Sequence, residues 1–304
     1  MSLTTKYSTI IAQNPRSLRQ FARHAALTAL SLRERYFTGD ATSGKPRVQF
    51  LYFHHIFDDE LEPFDRLLAE LAKQHVFISH TEAVERVLTG QNDAPCIAFS
   101  SDDGFKNNLQ AAGILNRYGA KACFFINPTT IGQRKSALIE KFCSERLEMP
   151  PIEFLDWADI DVLINQGHEI GSHTMAHINV AETSLAEFED DLSESRDILT
   201  RRCGQAAHFA YPYGRVHHFS REAMGAVFQA GFQSCASAER GCYSCAEPIP
   251  RDKLLLRRDH IVAGWPLSHN MYFIGRNARS LRYRSDSWSN VLAEWESADG
   301  SRHA

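Results

Sequence analysis

The chain predicts an α/β fold built on a parallel sheet, and three observations carry that prediction. Strand-like apolar runs alternate regularly with helix-like segments from Val48 to Val262, the pattern of βαβ units rather than hairpins. The acids, the histidines and a Tyr-Pro-Tyr run each fall just after an expected strand, where the working residues of parallel barrels gather. With 304 residues, 43% of them hydrophobic, the chain can bury the core of one barrel-sized domain.

Taken in order, residues 1–45 read as an extension. From Ser17 to Tyr36, Leu18, Phe21, Ala22, Ala25, Ala29 and Leu32 are spaced for one apolar side of a helix. Arg16, Arg19, Arg23, Arg33 and Arg35 decorate the remainder. Such a helix more often packs its stripe against the main domain; the alternative is peripheral contact of residues 17–36 with an anionic membrane. Ala41–Pro46 reads as a linker. Strands are then expected at 48–54, 96–101, 122–127, 169–173, 208–211, 232–236 and 254–262. Helices are expected at 60–73, 81–89, 105–118, 156–165, 184–201 and 219–230. These assignments give a catalytic domain over 46–275 and a tail over 276–304, with Trp288 and Trp295 as docking points.

The connection Pro128–Leu155 is long and carries Arg134, Lys135, Lys141 and Arg146, a natural substrate wall. Its charge suggests a phosphate-bearing substrate. A solvated mixed-charge helix over Lys135–Arg146 is the commoner outcome for such a pattern.

Composition narrows the function. A formal charge of −4 argues against a nucleic-acid partner, which would need a basic face. No apolar run is long enough to span a membrane. Ala25–Leu32 lacks the cleavage pattern of a signal core, and a cytoplasmic protein is expected. Seven cysteines without a disulfide rhythm fit a reducing compartment. Cys242 and Cys245 form the only Cys-x-x-Cys pair and read as loop cysteines rather than a structural zinc site.

The chemistry concentrates in two places. Asp102 and Asp103 follow the apolar run Pro95–Phe99 and precede Gly104. In a regular strand, neighbouring side chains point to opposite faces. Two adjacent acids therefore share a site only where the strand ends, and Gly104 supplies the freedom to break it. The second place is His168–His177, where His173 and His177 stand four positions apart, one turn apart if the chain becomes helical after Ser172. Two imidazoles and a carboxylate make a zinc-type ligand set that leaves positions open.

On these residues the chain resembles the polysaccharide deacetylase family, the NodB-homology carbohydrate esterases. The matching pieces are Tyr52-Phe-His-His55, Ser100-Ser-Asp-Asp-Gly104, Lys121-Ala-Cys-Phe-Phe-Ile126, Gly167–His177 and Phe209-Ala-Tyr-Pro-Tyr-Gly214. The resemblance implies a distorted (β/α)7-type barrel (NodB-homology fold), here with an N-terminal helical extension. It implies Asp102 as general base, and Asp103, His173 and His177 as ligands of one divalent metal ion. Zinc is the expected ion, with cobalt, nickel, iron and manganese also suited to this donor set. It further implies the Tyr213 backbone N–H as an oxyanion donor. His260, in Leu254–Val262, is the candidate general acid, with His54 or His55 as a second imidazole facing the cavity.

Two positions depart from the family pattern. Ser101 stands where a bulky apolar residue is usual. Ala210 stands where many members carry an arginine that holds the catalytic aspartate. Arg215, Arg257 and Arg258 are the candidates to replace it, and the sequence does not choose among them.

The expected activity is metal-dependent hydrolysis of an amide-linked acyl group, N-acetyl above all, from an amino sugar or glycan intermediate. A deformylase, a hydrolase of a small non-sugar amide or imide, and an inactive glycan-binding homologue are the alternatives.

Overall fold

The computed structural model describes residues 3–13, 18–37, 45–244 and 248–279. Two helices come first, α1 (Tyr7–Gln13) and α2 (Leu18–Phe37). There follow β1 (Arg47–Phe53), α3 (Leu61–Leu71), β2 (Val76–Phe77), α4 (His80–Thr89), β3 (Pro95–Ser101) and α5 (Asn108–Arg117). The middle comprises β4 (Ala122–Ile126), α6 (Ser136–Arg146), α7 (Trp157–Asn165), β5 (Glu169–Ser172), α8 (Leu185–Cys203) and β6 (His208–Ala210). Last come α9 (Arg221–Gln229), β7 (Ser234–Ala236), β8 (Cys242–Ser244), β9 (Leu255–Leu256), β10 (Arg258–His260) and α10 (Leu267–Arg279).

The sheet runs β10-β1-β3-β4-β5-β6-β7-β9, with parallel pairing at each step. The expected single strand 254–262 is two short ones, interrupted at Arg257. β9 pairs with β7 at one end of the sheet, and β10 pairs with β1 at the other. One stretch of chain thus joins both ends and curls the sheet into a distorted barrel. Two ladders at different angles cannot share one straight strand, so the stretch bends. β2 beside β3 and antiparallel β8 beside β1 have two and three residues, too few to show an alternation in sequence.

Side-chain alternation divides the sheet into two packed faces. Leu51, Phe53, Ile97, Phe99, Phe124, Ile126 and Phe209 join residues of α3, α5, α7, α8 and α9 in the larger core. Val48, Phe50, Cys96, Ala98, Cys123, Phe125, Ala210 and Ala236 fill the other face with α4. Burial on both sides explains why β1, β3 and β4 read as continuous apolar runs. Gly171 of β5 lies against Phe125, where an added Cβ would sit 2.5 Å from the ring and 2.9 Å from the His208 carbonyl oxygen.

The N-terminal helices depart from expectation. The α1 residues Tyr7 and Ser8 donate their backbone N–H groups to the Asp59 carboxylate at 2.8 and 2.9 Å. Thr4 donates to Pro151 O at 2.9 Å, so this segment is built into the domain. The apolar stripe of α2 does not pack inward. Leu27 on the other side is buried, Thr28 Oγ1 bonds to His269 Nε2 of α10 at 3.0 Å, and Leu18, Phe21 and Leu32 are exposed. The surface beneath presents His269 and Trp265, which match the polar residues His24 and Thr28 rather than the stripe.

Cys242 lies in a strand rather than a loop, its Sγ directed at Asn277 O at 3.3 Å. Cys245, Trp288, Trp295 and most of the expected linker lie outside the described residues.

Gly171→Ala should force β4 and β5 apart and lower stability by about 1–3 kcal/mol. A denaturant midpoint equal to that of the parent would contradict this packing.

Candidate active site

β3 ends at Ser101, and Asp102 still donates its N–H to Phe53 O at 3.1 Å. Asp103 then turns left-handed with φ 72°, followed by Gly104 with φ 70°. Aspartate tolerates this region better than most residues. The turn breaks strand alternation and directs both carboxylates into one cleft.

The segment after Ser172 is a turn, not the helix expected from the His-x-x-x-His spacing. Thr174 and His177 have φ of 65° and 53°, values a right-handed helix excludes. Side chains from elsewhere hold the turn. Asn127 Nδ2 donates to the carbonyls of His173 and Thr174, and the Asp191 carboxylate of α8 accepts the Met175 N–H at 2.9 Å. The two rings still converge, with centroids 5.1 Å apart.

His173 Nδ1 donates to Ala210 O at 2.7 Å, which fixes the tautomer and frees Nε2. That Nε2 and His177 Nε2 each stand 3.5 Å from Asp103 Oδ1. Ligand atoms of the three residues lie within 4.8 Å of one another, and all three residues are buried. Burial alone would raise the Asp103 carboxyl, but the imidazoles of His173 and His177 beside it hold it far below the carboxylate range. Burial pushes His177 down to about 4. Asp103 Oδ1 is a buried acceptor with no hydrogen-bond donor. A negative oxygen facing two imidazole nitrogens without a donor fits a divalent cation.

Asp102 is held by Arg258. Arg258 reaches both Asp102 oxygens, at 2.7 and 2.9 Å, and its Nε donates to Ser237 O at 2.8 Å. Its guanidinium lies over the Tyr52 ring, 4.4 Å from the centroid. Of the three arginines left open by the sequence, β10 supplies the one that matters. Burial works against the Asp102 charge, but the Arg258 charge outweighs it and lowers the carboxyl. Ser101 has a task of its own, because Asn108 Nδ2 donates to Ser101 Oγ at 2.7 Å and to His54 O at 3.1 Å. That clamp joins the ends of β1 and β3.

These groups line a cleft of about 370 Å³. Tyr213 is left-handed with φ 62°, and its ring rests on His177 at 4.8 Å between centroids. The Gly214 carbonyl accepts from Ala238 N–H at 2.7 Å and from Tyr211 Oη at 3.0 Å, which fixes the backbone that carries the Tyr213 N–H. His260 lines the cleft, but its Nε2 pairs with His54 Nδ1 at 3.2 Å and its ring stacks on Tyr52. Both rings of this pair line the cleft that holds Asp102 and Asp103, and burial lowers both imidazoles.

The wall from the long connection is Arg146–Met149. Arg134 does not line the cleft; it pairs with Glu153 and Asp156. Lys135 does not line the cleft either, so of the four basic residues of this connection Arg146 is the one that reaches it. Tyr7 lines the cleft beside this wall, packed in the same apolar cluster as Leu147 and Met149, its ring 5.7 Å from that of His55. Nothing in the sequence flagged Tyr7. Asn127 and Asp191 went unnoticed too, although Asn127 at the end of β4 follows the same strand-end rule as the acids.

The family model described as polysaccharide deacetylase matches residues 89–234. Over that span the chain carries a polysaccharide deacetylase domain. A peptidoglycan-N-acetylglucosamine deacetylase of Bacillus cereus is 36% identical over 55 residues, 18% of this chain and 20% of that protein. This polysaccharide deacetylase domain shares its fold with a Streptococcus pyogenes deacetylase, PplD, solved with acetate. The two superpose at TM-score 0.59 and 17% identity over 77% of this chain and 99% of that one. IcaB from Ammonifex degensii superposes at TM-score 0.59 and 16% identity, covering 77% and 98%.

Arg258→Met leaves Asp102 buried without its partner and should cost about 3–5 kcal/mol. The folded Asp102 carboxyl titrates below its unfolded value. Its stabilisation is therefore present above the unfolded value of about 3.9 and is lost as pH falls through the folded one. Thermal melts of the variant from pH 3 to pH 7 should lack that acid-side loss. An unchanged profile would remove the pair from the stability of the domain.

Proposed function

We propose that this protein removes an amide-linked acyl group, most readily acetyl, from an N-acylated amino sugar or glycan intermediate by metal-dependent hydrolysis. The observation that carries the reading is an ionised, arginine-held carboxylate beside a buried Asp-His-His set, both facing one cleft. A divalent cation held by Asp103, His173 and His177, with zinc the favoured ion, would polarise the scissile carbonyl and lower the proton affinity of water.

The chain's own groups do the rest. Arg258 keeps Asp102 charged and aimed into the cleft, so Asp102 can take the proton of an attacking water. The Tyr213 N–H, presented by the Tyr-Pro-Tyr turn, meets the oxygen on which negative charge develops, a contact worth about 3–4 kcal/mol in other hydrolases. The departing nitrogen needs a proton, and the cleft imidazoles outside the ligand set are the His54–His260 pair and His55, whose Nδ1 is held by Glu60; of these we assign the proton to the His54–His260 pair. The polysaccharide deacetylase domain and the deacetylase relatives support the acetyl group and a carbohydrate substrate. The free cysteines among the described residues support a cytoplasmic setting and hence a biosynthetic intermediate.

Metal analysis of the purified protein, followed by a screen of acetylated and formylated amino sugars for released acid, tests the reading. Asp102→Asn should retain the metal and lose turnover by at least about a hundredfold, whereas His177→Ala should lose both. Full activity in Asp102→Asn would overturn the base assignment. His54→Ala and His260→Ala should each lower kcat, because the paired rings both line the cleft; an unchanged kcat in both would take the acid role from this pair.

A further inference from the structure

Helix α2 is the arginine-rich element that the cleft does not use. At about 100° per residue, Leu18, Phe21, Ala22, Ala25, Ala29 and Leu32 share one side of this 20-residue helix, and Leu27 falls opposite. Leu27 is the residue buried against the domain. Leu18, Phe21 and Leu32 are 88%, 60% and 49% exposed. The stripe runs about 21 Å along the helix, and a contiguous exposed apolar face is the kind of surface that marks an interaction site.

The charge around the stripe selects the occupant. Between Arg16 and Arg35 there are five arginines and one acid, Glu34, on a chain whose overall charge is −4. Arg33 is exposed beside the stripe, whereas Arg23, on the Leu27 side, lies over the Trp265 ring, 5.6 Å from its centroid. Two copies docked stripe to stripe would bring arginines against arginines, whereas a negatively charged lipid surface would satisfy both the stripe and its rim. No helix among the described residues is long and apolar enough to cross a membrane, so the fitting arrangement is parallel to the surface.

We propose that α2 docks the protein on an anionic lipid bilayer, its apolar stripe in the headgroup boundary and its arginines on lipid phosphates. The helix stands close to the cleft. Its residue His24 touches Trp265, shortly after the cleft residues Val262 and Ala263. On the hydrolase reading, docking would present the cleft to a lipid-linked sugar.

The test is flotation of the full-length protein with vesicles of phosphatidylcholine alone or mixed with phosphatidylglycerol. The expected result is binding to the mixed vesicles only, reversed at about 0.5 M salt, where surface charge is screened. Phe21→Glu/Leu32→Glu should reduce the bound fraction roughly tenfold or more with metal content unchanged. Arg33→Glu provides a second variant that leaves the stripe and the Arg23–Trp265 contact intact. Parent protein that stays off the mixed vesicles would overturn the proposal, as would a glutamate variant that binds as well as the parent. A dimer split by Phe21→Glu/Leu32→Glu, without vesicle binding, would assign the stripe to a second copy instead. Flotation requires no turnover, so its outcome is independent of the hydrolase reading.

Discussion

The pairing of Arg258 with Asp102 connects the closure of the barrel to its chemistry. Arg258 sits on β10, the half-strand that joins the far end of the sheet to β1, and Asp102 sits just past the end of β3. The guanidinium also bonds Ser237 O, after β7, and Ser100 Oγ, on β3. A single buried cation therefore fastens strands from both ends of the sheet. A buried charge without a partner is very costly, so β10 must close in one register.

That arrangement explains how the fold dispenses with an arginine at Ala210. The Ala210 carbonyl holds His173 in the tautomer that presents Nε2, and the side chain there is small and buried. Space and charge come instead from β10, across the barrel. The two tasks, orienting the His173 ring and holding the Asp102 carboxylate, fall to different strands. Each is fixed by backbone that the barrel core keeps rigid.

Strain is concentrated at the same place. Asp103, Thr174, His177 and Tyr213 adopt left-handed backbone without being glycine, and all four belong to the strand-end turns around the cleft. Such conformations persist only where surrounding contacts over-determine them. Asn127, Asp191 and Thr174 Oγ1 provide those contacts for the histidine turn, and Ala238 and Tyr211 provide them for the tyrosine turn. Side chains forced out of regular periodicity can meet at one point from different strands.

The strand-and-helix order was legible in the sequence, because long apolar runs buried on both faces and amphipathic helices leave clear periodic marks. So were Asp102, Asp103, His173 and His177, whose residue types and positions after strands point to a metal-ligating chemistry before any contact is known. The tertiary structure alone decided which arginine serves Asp102, since three candidates close in sequence differ only in where the bent β9–β10 segment aims them. It also decided that His54 pairs with His260, that Tyr7 lines the cleft, and that the α2 stripe faces outward. Those outcomes depend on which surfaces meet when distant segments pack, and local pattern carries no record of the partner.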